Sequence, residues 1–233
     1  MTLKEQAAVA AAGLVESGML LGLGTGSTAA LVVKELGRRL RDGEIRDICG
    51  VPTSEATARL SHAEGIPLLT LDKAPALDLT IDGADEIDPA WNLVKGAGGS
   101  LLREKIVAQI SRAEAIVADD GKMVARLGDR MPLPLEVVPF GWNTHLDFLR
   151  ELGGDPVLRR SSDGAPCVTD EGNWTIDCRF SGETGRRMLE SPAALDEILR
   201  SRAGIIETGF FLGLATILVI ARGSGVDVLR RVI

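Results

Sequence analysis

Histidine and cysteine are scarce in this chain of 233 residues, with two of the first and three of the second. Cys49, Cys167 and Cys178 are odd in number, widely spaced, and form no Cys-x-x-Cys pair. With only His62 and His145 beside them, no zinc pattern can be assembled. The thiols are expected to be reduced and the compartment cytoplasmic. Basic charge is also short: 26 Lys and Arg face 33 Asp and Glu, a net charge of −7. That balance argues against nucleic acid or an anionic membrane as the main partner, since both require a basic face. It leaves room for a small phosphate ester, which needs only a few local donors. The N-terminus has a helical pattern containing Glu5 and Glu16, a poor signal peptide. The one long apolar stretch, 204–221, carries Glu207, Thr208, Thr216 and internal glycines, and reads as a buried strand pair rather than a membrane span. There is no internal repeat and no low-complexity linker. What remains, 45% hydrophobic and 25% charged residues, is ordinary for a soluble globular enzyme.

Helix and strand signals alternate through about residue 120. Helical patterns cover 3–17, 29–41, 52–63 and 101–112. Short apolar runs at 19–23, 45–51, 67–71, 77–81 and 115–118 read as strands between them. Such alternation predicts an open, mostly parallel Rossmann-like α/β sheet with helices on both faces. After Leu127 the texture changes. A strand at 135–138, a helix at 142–152, a hairpin over 165–180 turning at Asp170-Glu171-Gly172-Asn173, and a helix at 192–201 predict a small α+β unit. The stretch 157–167 fits no simple strand pattern. The runs 205–212 and 214–221 are expected to return to the first sheet. The expected division is 1–128 with 205–233 as the α/β domain, and 129–204 as the small domain.

Three stretches carry chemistry. In Gly24-Thr25-Gly26-Ser27-Thr28, glycines allow backbone N–H groups to close on an anion at a helix start, and hydroxyls add donors. A plain strand-to-helix turn is the bland reading. The loop has no lysine, which excludes a P-loop, and no acid ends the second strand to hold a ribose, which weakens a dinucleotide fingerprint. The second stretch, Asp82-Gly83-Ala84-Asp85-Glu86-Ile87-Asp88, crowds four acids after an apolar run. Like charges repel and need partners, so the cluster suggests a site for a polar substrate. Solvated turn acids account for Asp88 and less well for the rest. A divalent metal is a rival reading. The third stretch, Lys95-Gly96-Ala97-Gly98-Gly99-Ser100, sets a lysine beside exposed N–H groups, suited to stabilising an oxyanion. Glu104 follows in the first helical turn. With Ser100 as N-cap the reciprocal position is Arg103, so Glu104 is not the capping acid. Its alternatives are a catalytic carboxylate or simple complementarity to the helix dipole. Lys122, after Asp119-Asp120-Gly121, reads alone as a turn lysine. His62 and His145 read as surface or packing histidines.

Taken together, Gly-Thr-Gly-Ser-Thr, Asp-Gly-Ala-Asp-Glu-Ile, Lys-Gly-x-Gly-Gly and Arg-Glu-Lys-Ile resemble ribose-5-phosphate isomerase of the A type. Leu133-Pro134-Leu135-Glu136-Val137-Val138-Pro139 and Val168-Thr169-Asp170-Glu171-Gly172-Asn173 support the resemblance, which runs nearly the whole chain in order. It implies a ferredoxin-like small domain and interconversion of ribose 5-phosphate and ribulose 5-phosphate without metal or organic cofactor. It implies a homodimer or homotetramer whose partner is a small pentose phosphate. By position it assigns Thr25, Gly26, Ser27 and Thr28 to the substrate loop, and Asp82, Gly83, Ala84 and Asp85 to the acidic turn. Lys95, Gly96, Ala97 and Gly98 form the lysine-glycine turn, Glu104 is the proton acceptor, and Lys122 is a further substrate contact. Ala97 departs from the pattern, where many members have glycine. A positive φ there would strain it. Other enzymes of the same broad fold (a sugar-phosphate deaminase, a CoA transferase) and a non-catalytic sugar-phosphate sensor are the alternatives, with a nucleotide-binding oxidoreductase behind them.

Overall fold

The computed structural model describes residues 1–74 and 76–231. The first half of the chain runs α1 (Leu3–Ala12), β1 (Leu20–Leu23), α2 (Ser27–Arg41), β2 (Cys49–Pro52), α3 (Glu55–Ala63), β3 (Leu79–Asp82), β4 (Glu86–Ile87), β5 (Leu93–Val94), α4 (Leu101–Gln109) and β6 (Glu114–Asp119). The second half runs β7 (Leu133–Val137), α5 (Thr144–Glu151), β8 (Gly154–Leu158), β9 (Trp174–Phe180), α6 (Gly182–Met188), α7 (Pro192–Arg200), β10 (Ile205–Thr208), β11 (Phe210–Phe211), β12 (Ile217–Arg222) and β13 (Gly225–Arg230).

Two compact units result. The first comprises Met1–Ala84, Arg103–Lys122 and Gly213–Ile233, and the second Asp85–Leu102 and Met123–Leu212. The first holds a six-stranded sheet ordered β13-β12-β6-β3-β1-β2. Every pairing is parallel except that of β13 with β12. One face packs Leu21, Leu23, Ile81 and Val117 against alanines of α1 and Val32, Val33 and Leu36 of α2. On the other face Val107 of α4 packs with Val51 and Leu77. The expected parallel sheet with helices on both faces is therefore present, and burial on both faces explains the unbroken apolar strands.

The second unit contains a four-stranded antiparallel sheet ordered β10-β7-β9-β8. Its chain order, strand-helix-strand-strand-helix-strand with α6 added, is ferredoxin-like. Leu135, Val137, Ile176 and Cys178 form its core with Leu149 of α5 and Leu195 and Leu199 of α7. A small sheet ordered β11-β5-β4 completes the unit.

Several expectations change. Helix α1 stops at Ala12, where the Gly13 N–H returns to Val9 and Ala11, instead of running to 17. Helix α2 begins two residues early, at Ser27. The run 45–51 yields a strand only from Cys49, because Asp47 takes a left-handed φ of 58°. The run 67–71 makes a single bridge, Leu68 to Gly50. Trp174–Phe180 takes its ladder partners from Leu133–Val137 and Gly154–Leu158, and the expected hairpin with 165–169 is reduced to one antiparallel bridge, Val168 to Trp174. The local turn survives as Thr169 N–H to Asn173 O at 2.8 Å. Strand β8 begins before, and ends inside, the stretch that fitted no pattern. The run 205–212 does not join the first sheet: Ile205–Thr208 pairs with β7 and Phe210–Phe211 with β5. Apolar content signals a buried strand without naming its sheet. The two units accordingly divide at other points than 128 and 205, and 85–102 belongs to the second.

Candidate active site

In the first unit, loops at the carboxyl ends of parallel strands hold the glycine loop against Asp82. Strand β1 ends at Leu23, and the Gly24 N–H bonds Ile81 O at 3.0 Å. A side chain at Gly24 would overlap the Asp82 carboxylate, which explains glycine there. Asp82, 1% exposed at the end of β3, accepts from Thr25 N–H at 3.1 Å and Gly83 N–H at 2.7 Å through Oδ1. It thus fixes the start of the glycine loop. The Thr25 hydroxyl lies 2.7 Å from Thr53 Oγ1 and 2.8 Å from Ser54 Oγ, inside a cluster with Thr57. The Thr25 N–H and hydroxyl are thus both engaged within the unit. Gly26 has φ 103° and is the N-cap of α2, with no side-chain cap. The first N–H groups of a fifteen-residue helix are left to bind an anion, and the dipole favours it. Ser27 is exposed and Thr28 half-buried at this end.

Lys4 was not singled out from the sequence. Its Nζ donates to Ser27 Oγ at 3.1 Å, placing a cation at the glycine loop. A lysine 23 residues away in an alanine-rich helix gives no local signal. Glu104 sits in the first turn of α4, 4% exposed, and Lys105 beside it is 3% exposed. Arg103 instead reaches Glu55 at 2.9 Å. Lys122 ends a 3₁₀ turn after β6 and is half-buried.

In the second unit the acidic run is sorted by partner. Asp85 accepts the Ala97 N–H at 2.9 Å. Glu86, fully buried, accepts the N–H groups of Gly128, Arg130 and Met131, which makes it an anchor for that turn. Asp88 accepts from the Ala90 and Asn92 N–H groups, each at 2.8 Å, closing its own turn. Among the described residues no three His, Cys, Asp or Glu side chains are grouped to hold a metal ion. Lys95 is 3% exposed; its N–H bonds Gly209 O, and its Nζ lies 5.3 Å from the centre of the Phe211 ring. A cation over an aromatic face is attracted by the ring's quadrupole. Gly96 and Gly99 carry φ of 110° and 79°. Ala97 does not: Asp47 and Trp91 are the non-glycine residues of positive φ among those described. The alanine is therefore unstrained, and the doubt its substitution raised is removed. His62 is exposed, and His145 is buried, with Nδ1 accepting from Arg202 at 3.1 Å. Burial, then the adjacent guanidinium, lowers the His145 pKa.

Fold and site define the class: an open α/β enzyme whose polar residues gather beyond the carboxyl ends of parallel strands. A model of the family ribose 5-phosphate isomerase A (phosphoriboisomerase A) matches residues 49–225. Ribose-5-phosphate isomerase A of Chloroflexus aurantiacus is 51% identical over 226 residues, covering 97% of this chain and 92% of that protein. A D-ribose-5-phosphate isomerase solved in complex with phospho-erythronic acid superposes with TM-score 0.92 at 37% identity, covering 98% of both chains. The ribose 5-phosphate isomerase A of Methanocaldococcus jannaschii superposes with TM-score 0.90 at 35% identity, again over 98% of both. The chain belongs to the ribose 5-phosphate isomerase A family.

Proposed function

We propose that this enzyme interconverts D-ribose 5-phosphate and D-ribulose 5-phosphate through a cis-enediolate, with Glu104 as the base. The observation that carries the reading is the buried Glu104 carboxylate on the helix that follows the lysine-glycine turn. The substrate phosphate is held by the uncapped start of α2, the Ser27 and Thr28 hydroxyls and Lys4. Asp82 or Asp85 assists opening of the furanose, taking the O1 proton and returning it to the ring oxygen as the C1–O4 bond breaks. Glu104 then removes the proton from C2 and returns it to C1, while the O2 proton passes to O1. A carboxylate is a weak base toward C–H, so the enediolate itself must be stabilised. Lys95, Lys122 and a backbone N–H of the Gly96–Gly99 turn supply that.

Phospho-erythronic acid, bound by a structural neighbour, carries a planar carboxylate resembling the enediolate. It is expected to compete with ribose 5-phosphate here. The decisive experiment is proton NMR of the reaction in D₂O with EDTA present. Ketose should form with deuterium at the exchanged carbon, and the chelator should change nothing. Glu104→Gln should lower kcat by about 10²- to 10⁴-fold with KM nearly unchanged; near-normal turnover would remove Glu104 from the base role. The same reading places the protein in the cytoplasm as a homodimer or homotetramer, which sedimentation would check. No helix among the described residues is long and apolar enough to cross a membrane.

A further inference from the structure

Arg159 is used by nothing in the mechanism above, yet it reaches the lysine-glycine turn. It follows β8, and its guanidinium is held by a two-point pairing with Asp177 of β9, at 2.8 and 2.5 Å. The pair is largely buried, with side chains 18% and 23% exposed. The remaining nitrogen, Nη1, donates to Gly96 O at 2.9 Å and to Ala97 O at 3.1 Å. The same guanidinium thus ties the sheet's ion pair to two carbonyls of the turn. No lysine reproduces this fork, because all three guanidinium nitrogens are in use at fixed geometry.

We propose that Arg159, oriented by Asp177, is a positioning residue that aims the Gly98 N–H as an oxyanion donor. The peptide bonds of this turn are trans, so a carbonyl and the N–H of the same peptide point in opposite directions. With Gly96 O on Arg159, the Ala97 N–H is turned to Asp85 and is engaged there. The Gly99 N–H closes on Gly96 O at 3.0 Å. With Ala97 O on Arg159, the Gly98 N–H is directed away from the guanidinium. It makes no hydrogen bond among the described residues. Gly98 is exposed, so this donor is open to a ligand. Of the three N–H groups at Ala97, Gly98 and Gly99, only that of Gly98 remains to meet charge developing on the substrate. Fixed donors act because they need no reorganisation when that charge appears. Arg159 supplies the fixity from the far side of the turn.

The inference rests on the isomerase reading, and its test separates the two. Arg159→Met should lower kcat about 10- to 100-fold, below the full loss of an oxyanion donor, with KM for ribose 5-phosphate within about twofold. Arg159→Lys, able to hold one carbonyl, should recover part of kcat. Inhibition by phospho-erythronate should weaken in the order of the kcat losses, while competition by inorganic phosphate stays constant. Asp177→Asn keeps the side-chain shape and loosens the guanidinium, so an intermediate kcat is expected. It decides the question if Arg159→Met fails to fold. A folded Arg159→Met or Asp177→Asn enzyme with wild-type kcat overturns the proposal, as does a raised KM at unchanged kcat. If Glu104→Gln is inactive and these variants are normal, only the role of Arg159 falls. If Glu104→Gln is active, the base assignment falls instead.

Discussion

The glycine loop 24–28 and the lysine-glycine turn 95–99 are built by the same device and equipped differently. Each gives one backbone N–H to an aspartate of the acidic run: Thr25 to Asp82, and Ala97 to Asp85. Each has a positive-φ glycine, Gly26 in the first and Gly96 in the second, and each precedes a helix. Behind the first lies a neutral cluster of hydroxyls, Thr25, Thr53, Ser54 and Thr57, and a lysine at the rim. Behind the second lies a guanidinium on two carbonyls, and its lysine is buried over an aromatic ring. A phosphate carries its charge throughout the reaction, so donors at a solvent-exposed helix start suffice to hold it. An enediolate carries charge only briefly, and donors for it must be set in advance. On the proposed mechanism, the two turns divide ground-state binding from transition-state stabilisation.

That division can be broken by kinetics. The largest effect is expected from Lys95→Met, a fall in kcat of about 10²- to 10³-fold with little change in KM. A change confined to KM would make the lysine-glycine turn a second binding loop. Lys4→Met should show the reverse, with KM raised about tenfold, the worth of one hydrogen bond to a charged group, and kcat retained. Loss of kcat there would merge the two functions. The smallest effect concerns stability. Glu136 in β7 is buried, its Oε1 accepting from Thr169 and Asn173 at 2.9 Å each. Burial raises its pKa above the ordinary glutamate value, outweighing those two hydrogen bonds. A raised carboxyl pKa means stability present at low pH and lost as pH rises from the unfolded value through the folded one. Glu136→Gln should therefore melt closer to, or above, the wild type as pH rises from about 4.3. A Tm difference that is the same at pH 5 and pH 8 would refute this. Cys178, whose thiol burial pushes up to about 12, should resist alkylation in the native protein while Cys49 and Cys167 react.

The alternation of strands and helices, the glycine loops and the acidic run could all be read locally, because each is fixed by residues within a few positions of one another. Other features could not. Glu86 and Asp88 look like Asp82 and Asp85 in the sequence, yet Glu86 serves a turn more than 40 residues away. Lys4 and Arg159 stand in unremarkable stretches and gain meaning only from Ser27 and from Gly96 and Ala97. Strand β9 shows its turn locally, while its partners are chosen by the packing of Leu135, Ile176 and Leu158 in one core.

By itself the sequence determined the open α/β layout, the positions of the glycine turns and the candidate acids, since backbone conformation and apolar periodicity are short-range properties. Only the tertiary structure decided which sheet receives 205–212, which acids hold loops, and which cations stand behind them. Those outcomes depend on hydrogen bonds and side-chain packing between residues far apart in the chain, which no local pattern encodes.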